Sequence, residues 1–274
     1  MSHVTGTVAT NATYVEENQT NATYMEENQC HHSDQLPVDM CDVQTSTKHI
    51  FSRWSLWQIL DSILPTGGFA HSYGLEAAVQ ARVVPNAESL EAFAVNTVEN
   101  TASLLLPFVY EANKHPNIEN WIKLDLILHA TLSNGVARKA SIAQGSALLR
   151  VASTVFTEIS DFKQMRTCAR KPVMVHVHHA SVFGVICGLL GFDSFTTQQA
   201  YLFVMLRDLL SASTRLNLIG PLEAASTQHR ISKVAEKILK RHMDRPIEEA
   251  YQTAPVLDTA QGCHDYLFSR LFCS

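Results

Sequence analysis

The sequence predicts an all-α protein: a single helical-bundle domain over residues 51–274, preceded by a disordered acidic extension over residues 1–50. Three observations carry this. The 274 residues include only 11 glycines and 9 prolines, roughly half the usual share of about 12%. Few turn-formers in a long chain favour long helices over a many-stranded barrel or sandwich. From residue 51 onward the apolar residues recur at three and four, the period of one helix face. Only Val173, Val175 and Val177, alternating with Met174, His176 and His178, read like a strand, and that piece has no partner strand nearby.

The elements follow in order. Trp54, Trp57, Leu60 and Leu64 mark a first helix stopped by Pro65. After Pro85, Asn86 caps a long helix whose face includes Leu90, Phe93, Thr97, Leu104 and Phe108, with a bend at Pro107. Asn117 caps the next, with Trp121, Leu124, Leu128 and Leu132 on one stripe. Residues 134–156 carry Ala137, Ala140, Ala147, Val151 and Val155, a face of small residues suited to close packing. Gly135 near its start is expected to fray it, a mid-helix glycine costing about 1 kcal/mol. The run from His179 to Leu190 is apolar almost all round, which places it at the centre of the bundle, and Gly184 and Gly188 let a second backbone approach closely. Tyr201, Val204, Met205, Leu209, Ala212 and Leu216 mark another helix, and Ile231, Val234, Ile238 and Leu239 one more. Pro255 forbids a continuous helix through residues 254–257.

The net charge of -5 excludes a strongly basic nucleic-acid binder. Residues 1–50 hold seven carboxylates against one cation, Lys48, and leave the remainder of the chain nearly neutral. The same stretch contains a tandem decapeptide, Thr10–Gln19 and Thr20–Gln29, differing only at Val15 versus Met25. Too polar to offset the entropy of ordering, it reads as disordered. It shows neither the Arg-rich pattern of a transit peptide nor the apolar core of a secretory signal. The six cysteines form no C-x-x-C pair, and no apolar run reaches the length that spans a bilayer. The expectation is a cytoplasmic protein with no membrane contact.

Several constellations invite chemistry. His71-Ser72-Tyr73-Gly74 resembles a hydrolase nucleophile elbow, but that elbow needs a strand entering and a helix leaving, whereas a helix and a proline-glycine turn lead in here. Gly67-Gly68 is followed by no G-K-[ST], so no phosphate loop is present. Thirteen histidines, above all His176, His178 and His179, suggest a nickel-binding storage or sensing protein, yet no H-E-x-x-H or cysteine pair completes a cage.

A more specific signal is the string LPTGGFAHSYGLEAAV from Leu64 to Val79. It resembles the opening signature of UreF-type urease accessory proteins. ARKASIAQGSALLR (Ala137–Arg150) is similar to that family's Arg-containing, QG-bearing helix. HHASVFGVICGLLG, leading to Thr214-Arg215-Leu216 and IGPLEAASTQH, is similar to its glycine-rich helix and following R-L block. The ending GCHDYLFSRLFCS resembles the plant branch. The resemblance covers roughly residues 51–274 and leaves the duplicated extension outside it.

That resemblance implies an all-α, non-catalytic nickel-insertion chaperone for urease maturation. It would bridge a UreG-type GTPase and a UreD/UreH-type scaffold on apo-urease, as a homodimer within the complex. Nickel would be handled by the complex, with no cofactor held tightly by this chain. The expected partner-binding residues are Gly67, Gly68, His71, Ser72, Tyr73, Glu76, Arg138, Gln144, Arg215, Tyr266, Phe268 and Phe272. The glycine turn is expected to gather His71, Ser72, Tyr73 and Glu76 on one exposed helix end. Arg138 or Arg215 is expected to dock a partner acid or to hold an internal carboxylate such as Glu76 or Asp208. The aromatic cluster Tyr266, Phe268 and Phe272 is expected to be a binding tail that orders on the scaffold, folding back onto the body being the alternative.

Overall fold

The computed structural model describes residues 53–171 and 175–274. The predicted extension over residues 1–50 and its decapeptide repeat lie outside them, as does Val173. Among the described residues there is no strand, and no helix is long and apolar enough to cross a membrane.

A first helix, α1, covers described residues 53–60. Its inward side is Leu56, Ile59 and Leu60, whereas Trp54 and Trp57 are 76% and 66% exposed. The tryptophan spacing therefore marks the outer face, a correction to the predicted stripe; Leu64 falls beyond the helix. After the short α2 (Leu75–Gln80), α3 (Ala87–Leu104) starts at a capping box in which Asn86 and Ser89 exchange side-chain hydrogen bonds. The bend foreseen at Pro107 is a break. Leu105 separates α3 from α4 (Leu106–Lys114), and Pro107 sits in the first turn of α4, where its missing N–H costs nothing.

Asn117 caps α5 (Ile118–Thr131), whose Trp121, Leu124 and Leu128 are buried as predicted. Asn134 caps α6 (Gly135–Val155) by accepting from the N–H groups of Val136 and Ala137. Gly135 is the first helical residue, so no mid-helix penalty applies and the predicted fraying has no cause. The buried face of α6 is Val136, Ala140, Gln144, Leu148 and Val151, while Val155 points outward at 41% exposure. The sequence reading missed α7 (Ser160–Ala169), whose only buried side chains are Phe162 and Met165. Two anchors are too few to show a period.

At the centre lies α8 (His179–Leu189), buried along nearly its whole length. Its glycines touch α4 directly: a Cβ on Gly184 would lie 2.7 Å from that of Ala112, and one on Gly188 would lie 2.7 Å from the Asn113 carbonyl. Two long helices, α9 (Ser194–Arg215) and α10 (Pro221–His242), pack beside α3, and α11 (Pro255–Gly262) begins at Pro255 and rests on α2 and α6.

Of the strand-like residues, 175–178 are described and form an irregular link into α8. The buried Asp125 carboxylate on α5 accepts the N–H groups of His176 (2.6 Å), Val177 (3.0 Å) and His178 (2.6 Å), and also the Ser181 hydroxyl. Val177 has φ 69°, a strained setting for a β-branched residue, and this clamp holds it.

Candidate functional site

The segment from Leu64 to Glu76 is built around three special backbone positions. Gly67 takes φ 77°, Tyr73 takes φ 55° and Gly74 takes φ 81°, so the chain reverses twice within eight residues. Gly68 is required for a different reason: a Cβ there would fall inside the Asp208 carboxylate of α9.

The polar residues of this turn do not form an exposed helix end. His71, Ser72 and Glu76 are 5%, 0% and 2% exposed, and what covers them is the end of the chain. The Ser274 carbonyl accepts the Ser72 N–H at 2.7 Å and the Ser72 hydroxyl at 2.9 Å. The Ser274 hydroxyl meets His71 Nδ1 at 2.7 Å, and the Cys273 N–H donates to the Ala70 carbonyl at 2.8 Å. Glu76 completes the latch. Its carboxylate accepts from the N–H groups of Leu271 (2.6 Å) and Phe272 (3.1 Å) and from His264 Nε2 (3.1 Å). A carboxylate only accepts, so His264 carries its proton on Nε2.

Arg215 and Phe272 close the outside. The Arg215 guanidinium donates to the Phe69 carbonyl and lies 4.4 Å from the centre of the Phe272 ring, whose side chain is buried. Neither predicted arginine–carboxylate pair forms. Arg207 is the residue that pairs with Asp208, at 2.8 Å, and Arg138 reaches only the Ser133 carbonyl at 3.4 Å.

The tail thus divides. Phe272 packs into this chain's own core, the folded-back arrangement. Tyr266 and Phe268 remain outside, at 88% and 106% exposure. Beside them Lys139 pairs with Asp265 at 3.2 Å, and Gln80 donates to the Ser269 carbonyl at 3.0 Å.

Behind the latch is a cavity of about 110 Å³, lined among others by His71, Tyr73, Gln144, His179, Tyr201 and Ser274. Burial holds both imidazoles neutral. His71 is lowered to about 4 by desolvation and then by His264, and His179 to about 4 by desolvation, His71 and Arg207. Burial raises the Asp208 carboxyl despite Arg207 beside it. The Tyr73 hydroxyl stands 3.5 Å from Gln144 Oε1, long for a hydrogen bond.

Of the twelve candidates, then, Gly67, Gly68, His71, Ser72, Tyr73, Glu76, Gln144, Arg215 and Phe272 come together at the glycine turn, and Arg138, Tyr266 and Phe268 do not. The sequence reading missed His264 and Ser274, whose partners lie far away along the chain and leave no local pattern, and Arg207, which pairs with its neighbour Asp208 and reaches the distant Leu60 carbonyl. Ser72 offers no nucleophile, because its hydroxyl is buried and committed to the Ser274 carbonyl. The histidine trio divides, His176 and His178 meeting at His129 and His179 standing apart. His178 Nε2 meets His129 Nδ1 at 3.1 Å, His176 stacks on His129, and His179 lines the cavity. Among the described residues no group of three or more His, Cys, Asp or Glu side chains is placed to hold a metal ion.

The UreF family model matches residues 84–232, more than half of the chain. The chain belongs to the UreF family. It is 60% identical over 223 residues to urease accessory protein F of Oryza sativa subsp. indica, covering 81% of this chain and 85% of that protein. It is 58% identical over 233 residues to urease accessory protein F of Arabidopsis thaliana, covering 85% and 97%. To urease accessory protein UreF of Trichodesmium erythraeum it is 25% identical over 231 residues. The latch residues Gly67 to Glu76 and His264 to Ser274 lie outside the segment matched by the UreF model.

Proposed function

We propose that this chain is a urease accessory protein, a non-catalytic chaperone required for urease maturation by assembly of the nickel metallocentre. It bridges a UreG-type GTPase and a UreD/UreH-type scaffold on apo-urease, as a homodimer in the complex, in the cytoplasm. Nickel passes through the complex without being held tightly by this subunit. The observation that supports the reading is the 58–60% identity, over four-fifths of the chain, to proteins of Oryza sativa and Arabidopsis thaliana named urease accessory protein F. The site supports it in kind: its polar residues are spent on holding the chain end in place, and the latch leaves Tyr266 and Phe268 presented to solvent. Large exposed aromatics on an ordered frame suit a protein interface.

Co-purification of the full chain with scaffold, GTPase and apo-urease tests this. The expected result is a complex that forms with the parent chain and is lost with Tyr266→Ala/Phe268→Ala, while the melting temperature stays unchanged. Failure of the parent chain to retain either partner would overturn the proposal.

A further inference from the structure

Helices α9 and α10 run side by side and leave an apolar groove of about 460 Å³ that the latch does not use. Leu202, Leu206 and Leu239 form its floor, and Phe203, 43% exposed, stands at its mouth. The α10 edge carries His229 and Glu236. At helical spacing Lys233 and Lys240 flank that same edge; both are exposed. Arg230 and Arg241 on α10 are paired with Glu91 and Glu99 of α3, whereas Lys233 and Lys240 have no ion-pair partner among the described residues. The groove is therefore an apolar slot with unneutralised positive charge along one rim, Glu236 being the single acid there.

This chain contains a segment of matching chemistry. Residues 34–43, Asp-Gln-Leu-Pro-Val-Asp-Met-Cys-Asp-Val, combine Leu36, Val38, Met40 and Val43 with three carboxylates, Asp34, Asp39 and Asp42, and no cation. They lie outside the described residues, and the described chain resumes at residue 53, about 10 Å of helix before Leu60. The Leu60 carbonyl at the end of α1 accepts from Arg207 Nη1 at 2.5 Å, and Arg207 directly follows the groove residue Leu206. From residue 207 to the far groove residue Gln199 is about 12 Å along α9. Nine residues lie between positions 43 and 53, and their ten steps reach about 33 Å when extended, more than the roughly 22 Å of α1 and α9 together. Tethering at this length gives an effective concentration in the millimolar range, so weak contacts suffice.

We propose that residues 34–43 dock into the α9/α10 groove of the same chain, their apolar side chains on the leucine floor and their carboxylates toward Lys233 and Lys240.

Photo-cross-linking of the full chain tests this. A benzoylphenylalanine is placed at position 203, and in a second variant at the exposed position 199. Cross-linked peptides are then mapped by mass spectrometry, with the monomer separated from any dimer. The expected result is intramolecular cross-links from both positions into residues 34–43. Their yield should fall at least fivefold in Leu36→Asp/Val38→Asp/Met40→Asp and at least threefold in about 0.5 M salt, where surface charges are screened. Cross-links to a second copy, no cross-link into residues 34–43, or a yield unaffected by the triple substitution would each overturn the proposal.

Discussion

Glu76→Gln should open the chain end without unfolding the bundle. The wild-type carboxylate accepts from three donors, the buried His264 Nε2 and Phe272 N–H and the half-buried Leu271 N–H. A glutamine of the same shape keeps one acceptor oxygen and turns the other position into an NH₂ group facing donors. His264 could answer only by moving its proton to Nδ1, a buried atom with no hydrogen-bond partner, and a backbone N–H cannot answer at all, so one amide is left without an acceptor. An unsatisfied buried donor costs about 1–3 kcal/mol, and losing the charge from the remaining bonds adds about 1 kcal/mol. A total near 3 kcal/mol corresponds to roughly a hundredfold larger open population. Hydrogen exchange of the Leu271, Phe272 and Cys273 amides reads that population directly. The expected outcome is exchange accelerated by about two orders of magnitude at these three amides, with α4 and α8 unaffected. Exchange unchanged at all three would refute the role assigned to Glu76.

Four further outcomes follow from the same geometry. Gly68→Ala should destabilise by about 1–3 kcal/mol through overlap with Asp208, whereas Gly67→Ala, with open space around it but φ 77°, should cost about 1–2 kcal/mol; thermal melting of the two separates overlap from backbone strain. Asp125→Ala strips the acceptor from three backbone N–H groups and should cost at least about 3 kcal/mol, measured by urea unfolding. Because His71 and His179 are held neutral with values near 4, the unfolded chain binds more protons than the folded one between pH about 6.5 and 4. Stability should therefore be full above that window and fall as the pH drops through it, by about 1.4 kcal/mol per pH unit for each histidine; denaturant midpoints at pH 7, 6 and 5 report it. Trp54→Ser, on an exposed face, should change stability by less than about 0.5 kcal/mol.

The sequence made the helices legible wherever a cap residue preceded a long apolar stripe, as at Asn86 and Asn117, or wherever every face was apolar, as in α8. It misled at α1, where the conspicuous tryptophans are the outer residues and the modest Leu56 and Ile59 the inner ones. At the site it drew attention to the right turn but to the wrong exposure. Polar side chains in an apolar neighbourhood can mark either an outward surface or an inward hydrogen-bond socket, and periodicity does not distinguish them. Only the return of residues 264–274 from about two hundred positions away decides for the socket, and no local pattern encodes a contact of that span. Phe272 and Phe268 illustrate this. They are four residues apart in one aromatic cluster, yet one is buried under Arg215 and the other is fully in water.

As proposed above, this chain promotes urease maturation through its interfaces, with no chemistry of its own. Urease activity in cells that carry apo-urease, scaffold and GTPase, lack their own UreF and are supplied with nickel tests it most directly. Introducing this chain should restore urease activity, Ser72→Ala should restore it equally provided the fold is kept, and Tyr266→Ala/Phe268→Ala should not. Absence of urease activity with the well-folded parent chain, or loss of activity in a well-folded Ser72→Ala chain that still assembles the complex, would contradict it.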